Sequence, residues 1–452
     1  MQRRNFIGRL SLCTVGLTVQ RSGLIAPLHR ANNKIVLALI GCGGRGIQVL
    51  NGIIKENEQV EVKYFCDVNE TLKSIPEQIE IHKQKQGYAP KFETDMRKVF
   101  DDNSVDAVVI ATPEHWHTLA AIWALQAGKH VYVEKNPTLS IWEGQKLVEA
   151  TQKYKKVLQI GFQNRSAPYG LSAREYIKSG KLGKLVHIKC YNMLGGSKWV
   201  ARPDAAVPAG LNWDHWQGPA RRVPYNPNRH SMTSRGGWLD FWSYGGGPLS
   251  DDASHVMDLA RIALGNPGHP KSVYCTGGNI GFHSAKETPE FLNITYDYGD
   301  FAMTCESGSC TNYMTKEGNE VRFGTQWPYW PQNATRIEIY GTDRLMYLGR
   351  HGVGWQVMEK DGKVVDMDKG YFPDKFHQKN FIDAIRTGIA PNGDAHQGHL
   401  SASLVHLADI AYRTGNKQLI FDAGSEKFTN SPEANQLLKG QYHPDFEISE
   451  NV

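Results

Sequence analysis

The stretch Gly41-Cys-Gly-Gly-Arg-Gly46 limits what this chain can fold into more than any other. It follows Lys34–Ile40, an apolar run of the length expected for a strand buried on both faces. It precedes a segment that places Ile47, Leu50, Ile53 and Ile54 on one helical face. Gly41, Gly43 and Gly46 fit G-x-G-x-x-G. The first glycine permits the tight turn, the second lets a pyrophosphate approach the backbone, and the third lets helix and strand pack closely. Phosphates would lie at the positive end of the helix, beside Gly44 and Arg45. A second apolar run, Val60–Cys66, ends at Asp67, 21 residues past Gly46. An acidic side chain at that point accepts hydrogen bonds from an adenosine ribose. Such a glycine pattern alone is weak, since a glycine-rich turn in an unrelated α/β domain matches it too. The strand–turn–helix–strand–acid context is what points to a dinucleotide.

Strand–helix alternation continues. Thr71–Gln86, His117–Ala127 and Ile141–Tyr154 read as helices; Asp106–Thr112, Val131–Val133 and Val157–Gly161 read as strands. These predict a doubly wound parallel sheet over 34–160. The pattern then changes. Leu185–Tyr191, Ser272–Thr276, Glu290–Asp297, Phe301–Glu306, Thr335–Tyr340 and Gly354–Lys360 read as strands, several with one wet face. Helices are expected at Gly170–Ser179, Ser250–Leu264, Phe376–Thr387 and His399–Thr414. Residues 161–430 therefore form an α+β domain with a largely antiparallel open sheet, and 431–452 a tail. Between Gly195 and Tyr244 runs a long loop region carrying Trp199, Trp213, Trp216, Trp238 and Trp242, and loops of that length tend to be functional.

Net charge is +5 over 452 residues and no block of like charge occurs, so nucleic acid is not an expected partner. The seven Cys form no C-x-x-C, and the 17 His show neither H-x-x-x-H nor H-E-x-x-H spacing. No metal site or disulfide framework is expected. Residues 1–33 read as an export signal and linker. Arg3-Arg4 precedes Phe6-Ile7 and the moderately apolar stretch Leu10–Val19, like a twin-arginine signal. The stretch is too short to span a bilayer in a mature chain. The signal predicts a periplasmic enzyme; an irregular arm on a cytoplasmic protein is the alternative.

Three further pieces sit where ligands of open α/β sheets bind, or face that edge. Ala111-Thr-Pro-Glu-His-Trp-His117 and Val133-Glu-Lys-Asn-Pro137 end parallel strands. Thr112, Pro113, His117, Glu134 and Lys135 thus fall beside the nicotinamide half of a dinucleotide. The third piece, Gly245–Asp258, opens a helix on which Asp251 and His255 are four apart and share a face. Gln163, Arg165, Tyr191, Asn192 and Trp199 are candidates to line a substrate pocket. Trp327-Pro-Tyr-Trp330 could stack on a sugar or pack in a core. His115 and Trp116 read as structural.

These motifs together resemble the Gfo/Idh/MocA family of glucose–fructose oxidoreductase, inositol dehydrogenase and relatives, over Lys34 to about Gly415. Thr112, Pro113 and His117 match T-P-x-x-x-H; Glu134 and Lys135 match the start of E-K-P; Asp251 and His255 match D-x-x-x-H. The resemblance implies an NAD-dependent oxidoreductase acting on a hydroxyl of a carbohydrate or cyclitol. In it Lys135 would polarise the reacting hydroxyl, His255 would take its proton, and Asp251 would help hold substrate and histidine. That division suits alcohol oxidation, which needs a base, a cation at the developing alkoxide and a hydride acceptor. Asn136 stands where the family usually has proline. A redox-neutral glycoside-cleaving enzyme using NAD transiently is the rival; the Glu134-Lys135 pair counts against one such group, the NAD-dependent α-N-acetylgalactosaminidases. Asp67 predicts NAD over NADP, Arg45 being the one nearby cation able to favour NADP. An exported enzyme meets no pool of free NAD, so a cofactor held between turnovers is expected. So is a homo-oligomer, dimer or tetramer, through the open sheet.

Overall fold

A computed structural model of the chain describes residues 34–196, 198–231 and 237–452. The twin-arginine segment lies outside them. No helix among the described residues is long and apolar enough to cross a membrane.

The first domain alternates β1 (Ile35–Ile40), α1 (Gly44–Glu56), β2 (Val60–Cys66), α2 (Ser74–Gln86), β3 (Lys91–Glu93), α3 (Met96–Phe100), β4 (Ala107–Ile110), α4 (Glu114–Gln126), β5 (His130–Val133), α5 (Ile141–Tyr154) and β6 (Leu158–Ile160). The strands form one parallel sheet in the order β3-β2-β1-β4-β5-β6. Helices on both faces bury the centre completely, which is why Ala107–Ile110 is apolar at every position. The chain reverses between β1 and β4, and the loops leaving those two strands open a crevice at the carboxyl edge.

The second domain begins with α6 (Pro168–Lys178) and β7 (Leu185–Met193). The long loop holds two short helices, α7 (Trp213–Gln217) and α8 (Pro227–His230). Then follow α9 (Ser254–Ala263), β8 (Ser272–Gly278), β9 (Phe291–Asp297), β10 (Ala302–Gly308), α10 (Asn319–Arg322), β11 (Arg336–Gly341), β12 (Leu345–Gly349), β13 (Gly354–Met358), β14 (Val364–Lys369), α11 (Asp374–Thr387), α12 (Ala395–Arg413), β15 (Leu419–Asp422) and β16 (Lys427–Phe428). The ten-stranded sheet runs β14-β13-β12-β11-β7-β10-β9-β8-β15-β16, antiparallel except where β7 meets β10. One face packs on α6, α9 and α12 through Ile188, Cys190, Val256, Leu259, Leu404 and Val405. β9 shows the consequence, with Leu292, Ile294 and Tyr296 buried and the residues between them exposed or half-exposed. Strands β3, β12, β14, β15 and β16 escape sequence reading because they are short or lie at the outer parts of the sheets, where alternation is weak.

Two segments pack away from the region where chain order puts them. α11 covers the first sheet: Phe381, Ile382 and Ile385 share a core with Leu37, Leu39, Val49 and Ile53. Phe446, Ile448 and Val452, from the expected tail, are buried with Trp116, Leu119 and Ile122. The first domain is thus completed by residues more than 200 positions downstream of its last strand, and the two domains are tied together. Phe381 is fully buried. Phe381→Ala should cost about 3–5 kcal/mol of stability. Urea unfolding followed by a first-domain probe such as nucleotide binding would measure it, and an unchanged midpoint would contradict this packing.

Candidate active site

The glycine loop works by close approach. Gly41 has φ +87°, and a Cβ there would sit 2.8 Å from the backbone of Ala111 and Thr112. A Cβ on Gly46 would sit 2.1 Å from the Gly41 carbonyl. Side chains are therefore excluded where α1 bears on its loop and where the β1 and β4 loops meet. Gly43 caps α1 without a side-chain acceptor, the first turn holds no acidic residue, and a Cβ on Gly44 would meet open space. The amide end of α1 is left for an anion. Asp67, at the end of β2, accepts from the backbone N–H of Cys42 (2.7 Å) and of Asn69 (2.9 Å). Burial pushes its carboxyl up, against those hydrogen bonds. Each oxygen keeps acceptor capacity for a hydroxyl.

Arg45 turns to Glu134 (3.1 Å) and Asp374 (3.2 Å), joining α1 to the end of β5 and the start of α11. Glu134 also accepts from Gln163 Nε2 at 3.1 Å. Neither ring nitrogen of His117 is free: they face the carbonyls of Thr112 and Asn136, so this histidine clamps two strand-end loops together. The Lys135–Asn136 peptide bond is cis.

Lys135 reaches across the domain junction. Its Nζ donates to the Asp251 carbonyl (2.7 Å), Asp251 Oδ1 (3.1 Å) and the Ser250 carbonyl (3.3 Å). Those carbonyls are available because Leu249–Ala253 winds as a π-helical turn ahead of α9, where the sequence predicted one unbroken α-helix. Burial alone would lower the ammonium pKa, but Asp251, Glu114 and Asp252 outweigh it and raise it. His255 is buried against the edge of Phe162, its Nδ1 without a partner. Burial, then the charges of Arg350 and Lys135, hold it well below the usual histidine range, so the ring is neutral. Asp251 is thus engaged with Lys135, and the carboxylate whose charge acts favourably on His255 is Asp252, paired with Arg350 and Lys316.

These groups line one cavity of about 510 Å³ running from Asp67, Asn69 and Leu72 to Lys135, Asp251 and His255. That volume suits a cofactor-sized ligand. Trp216, Trp238 and Leu239 of the long loop complete its wall, backed by a cluster of Trp213, Phe241 and Tyr244. The Oγ1 of Thr112 is a buried hydroxyl in this wall with no partner. A polar atom left bare in a cavity with an open helix N-terminus at one wall and a fixed carboxylate at one end fits a dinucleotide.

Of the other substrate candidates, Gln163 lines this cavity. Arg165 does not; it is buried in an ion pair with Asp258 and bonds Asn266. Tyr191 is buried on the face of the second sheet opposite the helices, beneath Arg336, 3.7 Å from ring to guanidinium. Asn192 holds the Pro248 carbonyl (3.0 Å) just before the π turn. Trp199 lines a separate 280 Å³ cavity that shares Asp251 and Leu239 with the first. Trp330 is buried against Tyr347 and Gln356. Sequence reading missed Arg350 and His351, whose turn between β12 and β13 enters the cavity. It also passed over Glu114. This carboxyl is fully enclosed behind Lys135, with Ser250 Oγ 3.0 and 2.9 Å from its two oxygens. Burial pushes it up to about 7 despite the pull of Lys135.

The family model described as the NAD-binding Rossmann fold of the Gfo/Idh/MocA oxidoreductase family matches residues 35–162. That family's C-terminal alpha/beta domain matches 173–313 and 349–448. The chain is 25% identical over 367 residues to scyllo-inositol 2-dehydrogenase (NAD⁺) of Bacillus subtilis, spanning 79% of this chain and 88% of that one. It is 23% identical over 206 residues to a glycosyl hydrolase family 109 protein of Shewanella baltica, covering 41% of this chain and only 45% of the relative. The WlbA dehydrogenase of Bordetella pertussis, solved with NADH and UDP-GlcNAcA, shares the fold: TM-score 0.61 at 20% identity, over 86% of this chain and 99% of that one.

Glu114 offers a test of the buried cluster. Its folded pKa lies above the ordinary 4.5, so folding favours the protonated form. The stability it contributes is present in full below about pH 4.5 and lost as pH rises through about 7. Wild type should lose up to about 3 kcal/mol from this group between about pH 5 and pH 8, and Glu114→Gln should not. Urea midpoints at the two pH values decide it; an equal pH slope in both proteins would count against the assignment.

Proposed function

The chain belongs to the Gfo/Idh/MocA oxidoreductase family, and we propose that it oxidises a hydroxyl of a carbohydrate or cyclitol with NAD as the partner. The observation that carries this reading is the convergence of Lys135, Asp251 and His255 at one end of the dinucleotide-shaped cavity. Bound there, the cofactor supplies the hydride acceptor. The protein supplies the rest. His255, neutral at physiological pH, takes the hydroxyl proton. Lys135, held protonated, donates a hydrogen bond to the reacting oxygen as its charge builds. An ammonium has three N–H donors, and all three are taken by Ser250 and Asp251. The substrate oxygen therefore displaces the longest of them, the 3.3 Å bond to the Ser250 carbonyl. Asp251 positions Lys135.

NAD is preferred to NADP on this reading. Asp67 repels a 2′-phosphate, and Arg45 is spent on Glu134 and Asp374. None of the described cavity residues near Asp67 (Val68, Asn69, Leu72, Thr94, Met96) is cationic. The twin-arginine segment supports export, and export favours a cofactor retained between turnovers. The sheet face that carries no helix, where Tyr274 is exposed, supports a homo-oligomer.

Purified protein screened against sugars, cyclitols and glycosides, with product analysis beside NADH absorbance, tests the reaction. A keto product supports oxidation; cleavage without net NADH favours the redox-neutral rival. His255→Ala and Lys135→Ala should each lower turnover by about a hundredfold or more while cofactor still binds His255→Ala. Because His255 is held below its ordinary range, kcat/KM of Glu114→Gln, which lacks the buried carboxyl that titrates near 7, should stay level as pH falls through about 6.5. A limb at or above that value in this variant would remove His255 as the base. Asp67→Ala should narrow the NAD-to-NADP affinity ratio.

A further inference from the structure

Outside the catalytic cavity, three side chains from distant parts of the second domain meet. His269 lies in the turn between α9 and β8, His399 in the first turns of α12, and Glu426 in the turn joining β15 to β16. His269 Nε2 is 2.9 Å from Glu426 Oε1, and His399 Nε2 is 2.9 and 3.0 Å from Oε1 and Oε2. One donor atom from each lies within 4.8 Å of the other two. We propose that His269, His399 and Glu426 form a binding site for a borderline divalent cation, zinc above all, that bridges three segments of the second domain.

The chemistry of the set supports this. Two imidazole nitrogens and one carboxylate are ligands that zinc accepts, with a fourth place for water. The histidine side chains are 4% and 5% exposed and Glu426 is 17% exposed, so the carboxylate marks the opening to solvent. Each imidazole turns the same nitrogen, Nε2, to the shared carboxylate, and each leaves Nδ1 buried without a partner. Edge-to-face packing of the two rings (5.6 Å, 78°) and of His269 on Phe421 (5.3 Å, 73°) fixes that orientation. Gln145 Nε2, from α5, donates to Glu426 Oε2 at 2.8 Å and steadies the carboxylate. Glu426 adopts φ +49°, a left-handed conformation rarely taken by a side chain of this kind.

Neither Nδ1 has the second hydrogen bond that usually anchors a metal-bound histidine. Such partners are worth about 10–100-fold in affinity. The site is therefore of moderate affinity and exchanges its ion, tying the outer hairpin of β15 and β16 to α12 when filled. It makes no use of the catalytic groups, so its test is independent of the proposed reaction.

The test uses the full chain without a histidine tag, stripped with chelator and titrated with Co²⁺, then Zn²⁺. We expect one Co²⁺ per chain, with visible absorption of a four- or five-coordinate ion, displaced by Zn²⁺, and a melting temperature that rises with Zn²⁺. His399→Ala and Glu426→Gln should each weaken binding about tenfold or more and abolish the melting shift. His269→Gln leaves α12 and the turn between β15 and β16 unaltered, and retained circular dichroism certifies its fold. Absence of stoichiometric binding up to about 100 µM metal would overturn the proposal. So would unchanged binding in a folded His269→Gln.

Discussion

The ammonium of Lys135 is the point on which the two domains depend. It sits at the end of a first-domain strand, is largely removed from water, and finds its acceptors on the second domain. A buried cation without partners is costly, so the docked arrangement of domains and the protonated state of Lys135 require each other. The π turn at Leu249–Ala253 makes this possible by turning two backbone carbonyls outward. Asn192, bonded to the Pro248 carbonyl, holds the approach to that turn. Arg45 does the same on the opposite wall, linking the glycine-loop helix to Glu134 and to Asp374 at the head of α11.

The same closeness sorts protonation states. Lys135 is raised by the carboxylates around it, while His255 is lowered by burial and by the cations beside it. A donor that keeps its protons and a ring that has none to spare are thereby set at one end of one cavity. Glu114 sits behind them with a carboxyl poised near neutrality, and its Ser250 partner is the residue whose carbonyl receives Lys135. The charge state behind the site and the geometry in front of it are coupled through that serine. Asp252 adds a second layer, holding Arg350 at the cavity wall.

The glycine loop, Asp67 and the strand-end motifs were legible in the sequence because each is a local device: a turn, a strand end, a spacing of four. Gly41 and Gly46 prove unable to carry side chains, the demand that makes such a motif readable at all. The buried parallel strands and the amphipathic helices were legible for the same reason, since period and burial are written residue by residue. Edge strands such as β14 were not, because a half-exposed strand has little pattern to declare. Arg165 and Tyr191 illustrate the limit on side chains. Both follow strands or lie in them near the right region, yet one is claimed by Asp258 and the other faces the far side of its sheet.

What the sequence alone determined is the pair of domains, the dinucleotide loop and the residue types able to run alcohol chemistry. What only tertiary structure decided is who meets whom. Asp251 turns to Lys135 and not to its helical neighbour His255, because a cation arriving from another domain outbids a partner one turn away. α11 closes the first domain's core, and Arg350 reaches the cavity, through contacts no local pattern encodes. His269, His399 and Glu426 make the case most plainly: no spacing joins positions 130 and 27 residues apart, and only the packing of α12 against two turns brings their donor atoms together.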